Sequence, residues 1–370
     1  MKIGILTYQR AENYGAVLQA FALKTFVESL GHKVSFIDYW PKYHSDYFRI
    51  FPLQQLKKRG VKGKIVFFLK LILWSFPRLI RKKRFQAFIS EYLGVQKQPK
   101  YTSGNNITEA FDLVIYGSDQ IWRKQRLDGV DYDSWYFGSN NVVASWKIVY
   151  AGSMGTIEMS TEDNEYVKNM MRNFSSISVR EKDLQAYLNG IGVASILVSD
   201  PVFLLPKGKW LSLKQHSNKR KKKYILFYNL LNTKESTLFA EELSRNRKLP
   251  IIEINKQMSF KHIGNRYVFS ASVGQFLQLI DEAEFVVSNS FHGVAMSVIL
   301  EKQFFAVGMG AKANRVKSLL SSLGISNRYV DMDNIPIDNC IDYRLLNHSL
   351  QQLRNVSAQY LEQAVNNCTS

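Results

Sequence analysis

At 370 residues with a formal charge of +18, the chain is long enough for two domains and charged enough to require an anionic partner. That partner is nucleic acid, anionic lipid or a phosphorylated substrate. Its two cysteines, Cys340 and Cys368, exclude a disulfide framework and a thiolate zinc site. The N-terminus, MKIGILTYQR, reads as a strand because its apolar stretch is too short for a signal peptide, so a cytoplasmic location is expected.

Lys2 to Tyr8 is a predicted strand, Ala11 to Gly15 a polar turn, and Ala16 to Leu30 a helix with Leu18, Phe21, Ala22 and Phe26 on one side. Gly31 suits a helix end, and Val34 to Asp38 is the next strand. This βαβ unit predicts a parallel sheet. The turn lacks GxGxxG, so the dinucleotide fingerprint is absent. Asn13 and Gly15 either present backbone N–H groups to an anion, or Asn13 simply caps the helix.

Residues 41 to 110 interrupt the alternation. Between Lys57 and Arg84 there are eleven Lys or Arg and no acid. Inside lies Ile65 to Ile80, too short and too broken by Lys70 and Pro77 to span a bilayer. A basic, aromatic, apolar helix of this kind suits the surface of an anionic membrane. The alternative is a helical insertion packed on its domain. Nucleic acid is disfavoured, because the cations flank an apolar core and no nucleic-acid motif accompanies them.

The sheet resumes at Phe111 to Tyr116 and turns at Gly117-Ser118-Asp119-Gln120. Asp119 either orients a cation, accepts from a sugar hydroxyl, or caps the turn. Lys147 to Ala151 is a strand, Glu162 to Phe174 a helix, Ser176 to Arg180 a strand and Glu181 to Leu188 a helix. Arg180 thus stands at a strand's carboxyl end, where a guanidinium suits a carboxylate or phosphate. Ile196 to Ser199, closed by Asp200-Pro201, ends the first domain, residues 1–206.

Residues 207–223 form a basic linker, and 224–340 a second α/β domain. Its predicted elements are strand Tyr224 to Tyr228, helix Lys234 to Arg245, strands Ile251 to Ile254 and Tyr267 to Phe269, and helix Gly274 to Ala283. The strand Phe285-Val286-Val287, the polar turn to Gly293, an almost wholly apolar helix and the strand Phe304 to Val307 follow, ending at Gly308-Met309-Gly310. Ligands of parallel sheets sit outside the carboxyl ends of strands. His292 falls there, with Lys312 and Arg315 one strand away. Either His292 acts on a ligand or it only satisfies a hydrogen bond at a helix start. Residues 341–370 are a helical tail that packs back across the first domain.

Ser290-Phe291-His292-Gly293, between a strand and an apolar helix, resembles the signature of the polysaccharide pyruvyl transferases. Asn13 to Gln19, Gly117 to Trp122, Ser178 to Glu181 and Asp200 to Phe203 match further motifs of that family in order. The resemblance implies two Rossmann-like doubly wound α/β domains facing a cleft, GT-B-like. It implies phosphoenolpyruvate as donor and a glycan or lipid-linked sugar as acceptor, giving a cyclic pyruvate ketal without metal or cofactor. Arg180 and Lys312 match donor-binding residues, and His292 matches an essential histidine that is either general acid or phosphate ligand. Arg315 is the alternative to Lys312. Asn13, Gly15, Asp119, Ser290 and Gly310 complete the expected substrate contacts. A location peripheral to the inner face of the cytoplasmic membrane follows from the lipid-linked acceptor. The competing readings are a nucleotide-sugar glycosyltransferase and a non-enzymatic glycan-binding protein at the membrane surface.

Overall fold

A computed structural model describes residues 1–47, 61–96, 100–102, 107, 109–125, 131–155, 157, 159–215, 222–255, 264–310, 313–330 and 340–368. The chain divides into two compact units. The first comprises 1–44, 89–205 and 347–370, the second 45–88 and 206–346.

In the first unit β1 (Lys2–Leu6), β2 (Lys33–Phe36), β3 (Phe111–Tyr116), β4 (Ala144–Gly152), β5 (Ser176–Val179) and β6 (Ile196–Leu197) form one sheet. The order is β2-β1-β3-β4-β5-β6 and every pairing is parallel. A parallel sheet is covered on both faces, so its central strands are runs of apolar residues rather than alternations. Ile3, Ile5, Leu113, Ile115 and Ile148 pack with Leu23 and Val27 of helix α1 (Tyr14–Ser29). Leu361 and Val365 of the terminal helix α11 (Tyr343–Asn366) join the same cluster. The strand order turns back between β1 and β3, and their loops are tied together there. Thr7 Oγ1 donates to Ser118 O at 3.0 Å and Tyr8 Oη to Gln120 O at 3.0 Å.

The second sheet contains β7 (Ile225–Asn229), β8 (Ile251–Asn255), β9 (Tyr267–Val268), β10 (Phe285–Ser288), β11 (Gln303–Val307) and β12 (Tyr329–Val330). Its order, β12-β11-β10-β7-β8-β9, is parallel throughout and is that of dinucleotide-binding sheets. Its switch point lies between β7 and β10. Helix α7 (Lys234–Arg247) packs Phe239 and Ala240 on Phe227, Val287 and Phe305. Both units are therefore Rossmann-like α/β folds.

Three stretches are placed differently from the sequence expectation. The insertion is shared: residues 45–88 belong to the second unit and 89–110 to the first. Its longest described element is one helix, α3 (Val61–Leu93), running through Pro77. Trp74 lies against Phe269 with ring centroids 4.8 Å apart, and Arg81 Nη1 donates to Phe269 O at 3.1 Å. Arg84 Nη1 donates to Ser270 O at 2.6 Å and Gln275 Oε1 at 2.8 Å. The start of the expected linker, Lys207–Leu211, is a short helix, α6, with Trp210 fully buried. Burying an indole made it part of the second unit. Likewise the tail divides, with residues 347–370 in the first unit.

Candidate functional site

In the second unit the Ser290-Phe291-His292-Gly293 turn connects β10 to helix α9 (Phe291–Ile299) at the switch point. Ser290 is the N-cap, extended at φ −128°, and its side chain makes no capping hydrogen bond. Ser288 Oγ instead accepts from Ser290 N at 3.1 Å and donates to Ser290 O at 3.2 Å, which pins the turn. Gly293 is required by space: a Cβ there would overlap Ser288 Oγ and lie 2.7 Å from Tyr228 Cδ1. His292 therefore sits in the first turn of α9, buried, its ring edge-on to Phe291 at 5.2 Å. Arg315 of helix α10 (Ala313–Ser322) lies over the Phe291 ring at 5.2 Å. His292 and Arg315 are thus both neighbours of Phe291. Gly308 and Gly310 both take positive φ, +62° and +52°. Lys312 lies outside the described residues.

Behind this turn is a buried amide network that the sequence analysis did not find. Asn289 Oδ1 accepts from Leu230 N at 2.6 Å and Leu231 N at 3.2 Å. Its Nδ2 donates to Asn229 Oδ1 at 2.9 Å and Ser236 Oγ at 3.1 Å. Asn289 thereby fixes the β7 loop against the β10 turn. The signal was present, since a buried Asn directly after an apolar strand must find partners.

In the first unit Arg180 follows β5 as expected, but its side chain is only 2% exposed. Its Nη1 donates to Asp200 Oδ2 at 2.6 Å and Ser118 Oγ at 3.1 Å, and its Nε to Glu181 Oε1 at 3.1 Å. Asp119 Oδ1 lies 3.6 Å from Nη2. Burial alone would lower the guanidinium's pKa, but Glu181, Asp200 and Asp119 outweigh it and raise it. One guanidinium among three carboxylates leaves this cluster formally negative. Asp119 itself sits at φ +73°, a conformation that a non-glycine residue holds at a cost, and its Oδ1 accepts from Gln120 N at 2.8 Å. It both orients a cation and closes its own turn. Asn13 is a cap: its Oδ1 accepts from Gly15 N at 2.9 Å, so that amide is already occupied.

Near the Asp119 turn the structure gathers aromatic groups from 39–44 and 131–137. Tyr39 and Tyr43 both donate to Asp133 Oδ2 at 2.7 Å. His44 lies 4.4 Å from the Tyr8 ring and 4.9 Å from Trp40. Its buried Nε2 has no hydrogen-bond partner, and burial lowers its pKa to about 4 against a smaller opposing effect of Asp119. Tyr136 Oη is also buried without a partner. The density of Tyr, Trp and His in these two short segments was the readable signal. Among the described residues no group of three or more His, Cys, Asp or Glu is arranged to hold a metal ion.

Two parallel Rossmann-like units, each with polar side chains at the carboxyl ends of its strands, define a two-unit α/β protein. The family model described as polysaccharide pyruvyl transferase matches residues 13–310, and the chain belongs to that family. No curated protein matches it. Among solved structures, it resembles the UDP-GlcNAc 2-epimerase of Methanocaldococcus jannaschii at 11% identity, covering 99% of both chains with a TM-score of 0.47. The Neisseria meningitidis enzyme of the same name gives 10% identity over 99% of this chain and 100% of its own, with a TM-score of 0.46. The glycosyltransferase SnogD from Streptomyces nogalater gives 12% identity, 99% and 98% coverage and a TM-score of 0.37.

Proposed function

We propose that the protein transfers the enolpyruvate-derived unit of phosphoenolpyruvate to two hydroxyls of a sugar, forming a pyruvate ketal. The acceptor is a cell-surface glycan or its lipid-linked precursor, and the enzyme works as a peripheral protein at the inner face of the cytoplasmic membrane. Family membership supports the chemistry. The observation that carries the site is the Ser290–Gly293 turn, which holds His292 in the first turn of α9 beside the Phe291–Arg315 pair.

The donor anion is assigned to the second unit. A helix start and a guanidinium both favour phosphate, whereas the Arg180 cluster is formally negative. Arg315 and Lys312 bind phosphate and carboxylate. A proton is added to the methylene carbon of phosphoenolpyruvate, and a sugar oxygen bonds to C2. The C2–O bond to phosphate breaks, and inorganic phosphate leaves with its electron pair. A neighbouring hydroxyl closes the ketal, and the two hydroxyl protons are released. His292 either delivers the first proton or holds the leaving phosphate.

The first unit carries the acceptor. Carboxylates accept hydrogen bonds from sugar hydroxyls, and aromatic faces pack against the C–H faces of a sugar ring. Asp119 is the candidate contact, and Arg180 is a positioning residue that holds it.

The test is phosphate release from phosphoenolpyruvate with a panel of lipid-linked and nitrophenyl glycosides. Acceptor-dependent release, lost in His292→Ala, is the expected result. Turnover of a nucleotide sugar with none of phosphoenolpyruvate would replace this reading with glycosyl transfer.

A further inference from the structure

Among the described residues of helix α3, one apolar stripe is covered and another is not. Phe67, Trp74, Arg81 and Phe88 recur every seven residues and are buried. In the second unit this stripe meets the segment at 269–275 through Trp74, Arg81 and Arg84. Leu69, Leu73, Phe76 and Leu79, spaced by three or four residues, share another side of the helix. They are 55%, 46%, 70% and 41% exposed. Contiguous exposed apolar groups on a folded protein mark an interaction surface.

We infer that this face of α3 docks on the surface of an anionic phospholipid bilayer, with Leu73 and Phe76 entering the boundary between headgroups and acyl chains. The inference rests on the peripheral location proposed above and gives it a structural element. Charge selects the occupant. From Lys57 to Arg84 the sequence carries eleven cations and no acid, so the apolar stripe lies within the most basic stretch of the chain. Anionic headgroups complement that stretch, because basic residues next to a membrane surface are drawn to its negative potential. A second copy of the chain would set the same cations against each other. Nucleic acid would satisfy the cations and leave the apolar face wet. No described helix is long and apolar enough to cross a membrane, so α3 lies along the surface.

The experiment is flotation of the intact protein with vesicles of phosphatidylglycerol and phosphatidylcholine, and with phosphatidylcholine alone. The wild type floats with the anionic vesicles and not with the neutral ones. Leu73→Glu with Phe76→Glu lowers partitioning by about a hundredfold. Leu238→Glu, which changes an exposed leucine of α7, leaves it unchanged. The thermal midpoint of the double variant stays at the wild-type value, because neither side chain is buried. Equal flotation of the double variant would overturn the inference. So would a wild-type dimer in sedimentation that Phe76→Glu dissolves, since a second copy would then cover the face. Flotation needs no donor or acceptor. A protein that floats but does not turn over phosphoenolpyruvate refutes the chemistry alone, and one that turns over soluble glycosides without floating refutes the docking alone.

Discussion

Arg180 has its guanidinium enclosed by Asp200, Glu181, Asp119 and Ser118. Removing one partner of a buried ionic cluster is costly because the remainder stays charged and dry. Arg180→Ala should therefore destabilise the fold by about 3–5 kcal/mol, read as a fall in denaturation midpoint. A residue that only gripped the donor would raise the KM for phosphoenolpyruvate and leave the midpoint alone. His292 is expected to behave differently. His292→Ala should lower the midpoint less than Arg180→Ala does and lose about 10²–10⁴-fold in kcat if the ring is the general acid. His44 gives a pH effect of fixed sign. Its pKa is lowered from 6.5 to about 4 by burial, so the unfolded chain binds the proton more readily. Its contribution is complete above pH 6.5 and is lost as pH falls toward about 4. His44→Phe should flatten that part of the stability curve in thermal melts. Of these residues, Arg180 and His292 were legible as strand-end and turn residues in order along the chain. The carboxylate ring around Arg180 was not, because Ser118, Asp119, Glu181 and Asp200 come together only when β3 and β5 enter one sheet.

The strands were the most legible elements, since parallel strands buried on both faces are short apolar runs between polar turns. The turns were legible in position but not in purpose. Gly117 shows why: it sits at φ +105°, and a Cβ would overlap the carbonyl oxygen of Tyr150, a residue on a neighbouring strand. Nothing local in the sequence announces that approach. Gly117→Ala should lower stability by about 1–3 kcal/mol and displace Asp119, so that loss of turnover accompanies the loss of midpoint. Helix α8 (Val273–Glu282) makes a gentler case. Ser272 and Gln275 form a reciprocal capping box, and Ser272→Ala should cost about 1 kcal/mol in chemical denaturation with catalysis intact. Helix α3 was legible as an apolar, basic insertion. Its division into a covered and an uncovered side depends on Phe269 to Gln275, nearly two hundred residues later in the chain.

At the scale of the molecule, the two α/β units were legible from the repeated alternation of strand and helix. The path between them was not. Four crossings, at 44/45, 88/89, 205/206 and 346/347, replace the single linker expected at 207–223. The terminal helix contributes to the first unit through Ser357, whose Oγ accepts from Ser199 N at 2.8 Å, and through Tyr360, which donates to Val149 O at 3.1 Å. Leu361 is fully buried in that core, and Leu361→Ala should cost about 2–5 kcal/mol in the equilibrium unfolding of the first unit. A helix far along the chain from β1 is therefore needed to complete the core that β1 begins. Neither unit can be cloned as one uninterrupted piece, and a nascent chain from which α11 has not yet emerged would hold a first unit whose core is still open on the side that Leu361 and Val365 cover.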